Sequence, residues 1–204
     1  MSTPALQHER FDGDYFDKWY RHPNHKVGTQ ADLGRLVRFA VAATEYILAH
    51  PVRSVLDVGA GEGRWRPLLR ELRPRAVYQG MDPSEYVARR FGKRRNIVRG
   101  TIDDLPALFP SRTFDLVVCC SVINYLPHEQ MVRGVRNIAR HTGGMAYLEI
   151  FTSDDDVEGD TNGWHSETRS SYRRIIRGAG LVPCGLHCYV PDMSVPSLVG
   201  LERA

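Results

Sequence analysis

Residues 59 to 63 read Gly-Ala-Gly-Glu-Gly and directly follow the apolar run Val55-Leu56-Asp57-Val58. Glycines this close together let the backbone turn sharply and approach a ligand closely, at a conformational cost that an ordinary loop has no reason to bear. Dinucleotide sites space their glycines as G-x-G-x-x-G and rest a pyrophosphate on the helix that follows. Here the third glycine comes one residue early, Arg64 stands where that pattern has glycine, and Asp57 would face a phosphate unfavourably. An acid beside the turn suits a ligand carrying positive charge, such as an amino-acid ammonium or a sulfonium. Asp82, which closes Tyr78-Gln79-Gly80-Met81-Asp82-Pro83, stands where an acceptor binds a ribose diol. Both signals fit a nucleoside without phosphate.

The elements that must position these residues alternate along the chain. Gln30 to His50 has the apolar spacing of an amphipathic helix (Leu33, Leu36, Val37, Ala40, Val41, Ile47, Leu48), closed by Pro51. Strand-like runs at Ser54 to Val58, Ala76 to Met81, Ile97 to Arg99, Phe114 to Ser121 and Met145 to Phe151 are separated by helical runs at Trp65 to Leu72, Glu85 to Phe91 and Met131 to His141. That order means parallel strands joined by crossover helices. The strands are nearly continuous apolar runs, as when helices cover both faces of a sheet. A helix over about Ser166 to Ala179 is followed by two strand-like segments, Leu181 to Val190 and Ser197 to Glu202.

Over residues 54 to 151 the chain resembles the class I S-adenosylmethionine-dependent methyltransferases. Four segments carry the likeness in order: Asp57-Val58-Gly59-Ala60-Gly61-Glu62-Gly63, Gly80-Met81-Asp82, Gly100-Thr101-Ile102-Asp103-Asp104-Leu105-Pro106, and Phe114-Asp115-Leu116-Val117-Val118-Cys119 leading to Val122-Ile123-Asn124-Tyr125-Leu126. The resemblance implies a Rossmann-like α/β fold: a seven-stranded, mostly parallel sheet with an antiparallel last strand and helices on both faces. It implies S-adenosylmethionine as cofactor. Gly59 and Gly61 would line its methionine portion, Asp82 would bind the ribose hydroxyls, and Ile102 with Asp103 would border the adenine. Asp57, Ala60, Pro83 and Cys119 belong to the same implied cofactor set. Thr101 departs from the family pattern, where aspartate is common, so the adenine contact rests on Asp103, for which a helix N-cap is the competing role.

Methyl transfer needs a nucleophile aligned behind a sulfonium methyl and a general base only if the acceptor must lose a proton. The catalytic candidates are His25, a residue type that commonly serves as a general base in a loop preceding the helix that should cover the pocket, with a surface histidine as the competing role, and Asn124 and Tyr125 at the end of the fourth segment, for which turn and core packing compete. His165 and His128 are further candidates. Glu149 either reaches the site or pairs with a helix arginine, the role given precedence here. Tyr15, Phe16, Trp19 and Tyr20 form either a lid or a helix tucked against the sheet.

At 204 residues the chain suits one domain, with an N-terminal helical lid segment over 1–50, a cofactor-binding core over 51–151, and a loop, helix and last two strands over 152–204. Nothing suggests a membrane span or a leader, which places the protein in the cytoplasm. Four cysteines without a secretion signal argue against disulfides. Cys184 and Cys188 on one strand would stand ~13 Å apart, too far to share a metal, so no metal site is expected. The net charge of +3 is small and the arginines are spread over several helices, which argues against nucleic acid as a partner without excluding it. With no large insertion, a small-molecule acceptor is favoured over RNA or protein, and a non-catalytic binder of the cofactor is a third reading. The acceptor, the atom methylated and the oligomeric state are left open by the sequence.

Overall fold

The computed structural model describes residues 10–26 and 28–197, with side chains described to residue 194. A short helix α1 (Gly13–Phe16) runs on into a π-helical turn (Asp17–Arg21). It is followed by α2 (Gln30–Leu48), whose start is fixed by a reciprocal cap. Thr29 accepts from the Asp32 amide, and the Asp32 carboxylate accepts from the Thr29 amide at 2.7 Å. Val37, Ala40 and Val41, spaced on one face, are buried, and the helix ends at Ala49 in the left-handed conformation, two residues before Pro51.

From there the chain alternates: β1 (Ser54–Val58), α3 (Trp65–Leu72), β2 (Val77–Asp82), α4 (Glu85–Arg95), β3 (Ile97–Arg99), α5 (Leu105–Leu108), β4 (Phe114–Cys120), α6 (His128–His141) and β5 (Thr142–Glu149). The helix α7 (Arg169–Gly178) precedes β6 (Leu181–Gly185) and β7 (Cys188–Pro191). The seven strands form one sheet in the order β3-β2-β1-β4-β5-β7-β6. β1 to β5 are parallel, and β7 runs antiparallel to both of its neighbours. This is the Rossmann-like architecture that the sequence implied.

Alternate residues of each strand feed opposite layers, as the two-residue period of a strand requires. Leu56, Val58 and Val117 pack with Val135 and Ile138 of α6 and with Ile176 of α7. Val55, Leu116 and Val118 pack with Val37 and Val41 of α2 and Leu69 of α3. Burial on both faces explains why the strand sequences lack alternation. The order reverses between β1 and β4, and it is at such a switch point, beyond the carboxyl ends of the strands, that open α/β sheets bind ligands.

The C-terminal expectation is corrected. Leu181 to Val190 is not one strand but a hairpin: Leu186 and His187 both take positive φ (50° and 62°), and Gly185 pairs with Cys188 across the turn. Cys184 and Cys188 therefore lie on adjacent strands rather than along one, the first exposed and the second buried, and none of the four cysteines is in a disulfide. Of the second segment, Ser197 closes a 3-10 turn (Asp192–Ser197) and the remainder, 198–202, lies outside the described residues. The fifth strand begins and ends earlier than expected, which leaves Glu149 as its last residue. No described helix is long and apolar enough to cross a membrane.

Candidate active site

The turn after β1 is tied to the end of β2. The amides of Gly59 and Ala60 both donate to the Met81 carbonyl, at 2.8 and 2.9 Å. Gly59 and Gly61 adopt φ of +72° and +51°, a region that glycine enters without a Cβ penalty. Close packing adds a second reason for glycine here. A Cβ at Gly59 would stand 2.2 Å from Val122 Cγ2, and one at Gly61 would stand 2.5 Å from the Tyr20 hydroxyl.

Asp82 ends β2 against this turn. One carboxylate oxygen accepts from the Gly61 amide at 2.8 Å and the other from the Ser84 amide at 2.9 Å. Burial pushes its pKa up to about 6, with those two amides pulling the other way. Each oxygen keeps a further lone pair, so the carboxylate is fixed in direction and can still accept from a ligand's hydroxyls. Asp57 lies behind the turn, buried, and accepts from the Tyr78 hydroxyl at 2.6 Å. Burial, with a smaller contribution from the Asp82 charge, raises it to about 7 against that hydrogen bond.

These groups open onto a cavity of about 520 Å³, within the range of small-molecule sites. Its floor is the glycine turn and the ends of β2, β4 and β5, and its cover is the N-terminal segment, from which Phe11, Tyr15, Phe16, Trp19 and Tyr20 all line it. The aromatic set therefore covers the pocket, and burial raises the pKa of both the Tyr15 and Tyr20 hydroxyls. Two ion pairs fasten this cover. Arg21 joins Glu62 of the glycine turn, and Arg10 joins Asp160 of the loop after β5. The Tyr125 hydroxyl donates to the Asp160 carbonyl at 2.7 Å, and the Arg10 guanidinium lies over the Tyr125 ring.

Of the residues singled out from the sequence, Gly59, Gly61, Asp82, Pro83, Ile102 and Tyr125 line this one cavity. Of the cofactor and catalytic candidates, His25, Asp57, Ala60, Asp103, Cys119 and Asn124 do not line it. His25 is exposed, with its ring against His22 and Trp19. Asn124 is fully buried. Its amide nitrogen donates to the Phe151 carbonyl at 2.6 Å and the Tyr172 hydroxyl at 3.1 Å, and its oxygen accepts from the Phe151 amide. That side chain stitches β4's exit to β5's exit and presents no group to the cavity. Asp57 and Ala60 are buried behind the turn. Cys119 is fully buried in the core, and the neighbouring Cys120 lines the cavity in its place. Asp103 faces Arg133 at 3.4 Å, while the N-cap is Thr101, in a reciprocal box with Asp104, whose carboxylate accepts from the Thr101 amide and hydroxyl.

Glu149 lines the cavity and accepts from the Ser121 hydroxyl at 2.7 Å rather than from a helix arginine. His165 is exposed and contributes its amide to the Asn124 carbonyl, and His128 pairs with Glu167. Arg10, Ser121, Asp160 and, apart from its place beside His165, Trp164 carried no sequence signal, because only the fold brings them together. Among the described residues, no group of histidine, cysteine or acidic side chains is arranged to hold a metal ion.

A mostly parallel α/β sheet with a glycine turn at its switch point and a fixed acid ending the next strand defines a nucleoside-binding domain of the Rossmann-like class. The methyltransferase domain family model matches residues 28–192, and the chain belongs to that family. None of the curated proteins matches it in sequence. Among solved structures it is similar to magnesium protoporphyrin IX methyltransferase (ChlM) from Synechocystis PCC 6803 with bound SAM (TM-score 0.60, 16% identity, covering 89% of this chain and 87% of that one). It is also similar to SAM-bound CalS10, an amino pentose methyltransferase from Micromonospora echinaspora (TM-score 0.61, 15% identity, 78% and 90%). The [4+2]-cyclase SpnF shares the fold as well (TM-score 0.55, 20% identity, 82% and 63%). At these identities the likeness is one of fold.

Proposed function

We propose that this methyltransferase domain transfers the methyl group of S-adenosylmethionine to a small-molecule acceptor in the cytoplasm. The residues present suit that cofactor. The glycine turn would hold its amino-acid end without side-chain obstruction, Asp82 would accept from the ribose hydroxyls, and Ile102 would lie against the adenine. The acidic surroundings, with Asp57 behind the turn, favour a ligand bearing ammonium and sulfonium charge and no phosphate. The cofactor, when bound, supplies an electrophilic methyl; the chain's part is to orient it, align a nucleophile and exclude water.

The observation that carries the small-molecule reading is the cover. Aromatic side chains of the N-terminal segment, pinned by Arg10 to Asp160 and by Arg21 to Glu62, roof a cavity of about 520 Å³. A macromolecular acceptor would have to displace that roof. The methyltransferase neighbours named for a porphyrin and an amino pentose act on acceptors of small size.

The test is transfer of labelled methyl from S-adenosylmethionine into a cell extract that is then ultrafiltered, with Asp82→Ala as control. Label in the filtrate that disappears with the variant supports the reading. Label kept with macromolecules overturns it in favour of an RNA or protein acceptor. Bound cofactor with no label anywhere means that the domain binds without transferring.

A further inference from the structure

Glu149 and Asp82 end strands on opposite sides of the switch point, with β1 and β4 between them. Three strand spacings of ~4.8 Å put roughly 14 Å between those strand ends, room for a cofactor held at β1 and β2 and a second molecule beyond it. At the β5 end the Glu149 side chain is oriented rather than free. Ser121 takes a left-handed φ of +55°, donates its amide to the Glu149 carbonyl at 3.2 Å and its hydroxyl to the carboxylate at 2.7 Å.

The charges around it do not balance. Of the other charged side chains lining the cavity, Arg10 is paired with Asp160 and Asp32 with Arg35. Arg64 belongs to the glycine-turn end, where it lies over the Tyr20 ring and donates to Gln30. Asp82, Glu149 and Glu158 have no cationic partner among the described residues, but both Asp82 oxygens already accept backbone amides at the glycine-turn end, which leaves Glu149 as the hydroxyl-oriented carboxylate at the β5 end. A carboxylate beside an apolar cavity without a counter-charge is a place for a cation. The walls next to it are aromatic: Phe151 stacks on Trp164 (centroids 5.9 Å apart, 13° between planes), and Tyr125 meets Trp164 edge-on. Such faces attract a cation as well as a planar apolar body.

We propose that Glu149, positioned by Ser121, binds and deprotonates the acceptor, and that the acceptor is a small amine carried on a planar apolar body. This rests on the small-molecule reading above. The protonated amine binds to the carboxylate and passes one proton to it. The freed nitrogen lone pair then forms the new N–C bond, the C–S bonding pair stays on sulfur, and Glu149 returns its proton to solvent. Glutamine at 149 keeps an acceptor for the Ser121 hydroxyl while losing the charge and the basicity, so the variant is expected to fold.

The experiment titrates phenethylamine and phenylacetate into the full chain saturated with S-adenosylhomocysteine, followed by ligand-observed NMR, for the wild type, Glu149→Gln and Ser121→Ala. Phenethylamine is expected to bind the wild type in preference to phenylacetate, to lose about tenfold in affinity with Glu149→Gln, and to lose less with Ser121→Ala. With labelled methyl donor, transfer to phenethylamine at a fixed pH should fall about tenfold or more in Glu149→Gln, and the remainder should still rise with pH as the free amine forms in solution. Preference for phenylacetate, or equal amine binding by wild type and Glu149→Gln, overturns the proposal while leaving the cofactor reading intact. Failure of S-adenosylhomocysteine itself to bind overturns both.

Discussion

Asp57→Asn separates the charge of the buried acid from its shape. Burial lifts the Asp57 carboxyl from 3.8 to about 7, the Tyr78 hydrogen bond opposing the shift. A folded-state value above the unfolded one stabilises the fold fully only below the unfolded value, and that contribution is lost as pH rises through the folded value. At about 1.4 kcal/mol per unit, a shift of about three units bounds the loss at about 4 kcal/mol in alkali, of which about 2–3 kcal/mol accumulates between pH 5 and pH 8. Asparagine still accepts from the Tyr78 hydroxyl but does not titrate. Its buried amide hydrogens add a pH-independent cost of about 1–3 kcal/mol. Asp82, raised to about 6, titrates in both proteins. The quantity to measure is therefore the difference in urea unfolding free energy between variant and wild type, taken across that pH range without cofactor. The variant should gain about 2 kcal/mol on the wild type from pH 5 to pH 8. Parallel curves, or a gain towards low pH, would refute the burial argument.

Gly59→Ala should lower cofactor affinity more than about tenfold and stability by about 1–2 kcal/mol, since φ is +72° and the new Cβ would meet Val122. Calorimetry and urea unfolding check the two parts. Asn124→Ala strands the Phe151 backbone and Tyr172 groups that it now joins, so it should cost about 2 kcal/mol of stability, yet leave cofactor affinity unchanged at a temperature where the variant is folded. His25→Ala should leave turnover within about twofold of wild type at every pH assayed, because the side chain is exposed and lies outside the cavity; a lost pH limb would restore it as a base.

What the sequence made legible was local. The glycine turn and Asp82 each lie within a strand–turn–helix unit, where residue type and spacing decide the backbone directly. The crossover order followed from the same units, and with it the switch point at which the cavity lies. Side-chain direction was another matter. The segment ending in Asn124-Tyr125 located the backbone beside the cavity, but only packing turns Tyr125 in and Asn124 away. The hairpin at Leu186–His187 was missed because non-glycine residues supply the positive φ of its two central positions, with no Asn-Gly signature, although Gly185 just before them also takes a positive φ. Arg10 and Asp160 stand 150 positions apart, and nothing short of the fold joins them. His25 was named for its chemistry and for its loop before α2, and neither says which way the side chain turns.

The most direct measurement is calorimetric titration of S-adenosylmethionine into the wild type and Asp82→Ala, with circular dichroism to confirm that both are folded. Saturable one-to-one binding by the wild type, lost in the variant, is the predicted result. No binding by the folded wild type, or binding undiminished in Asp82→Ala, would contradict the assignment of this cavity to the methyl donor.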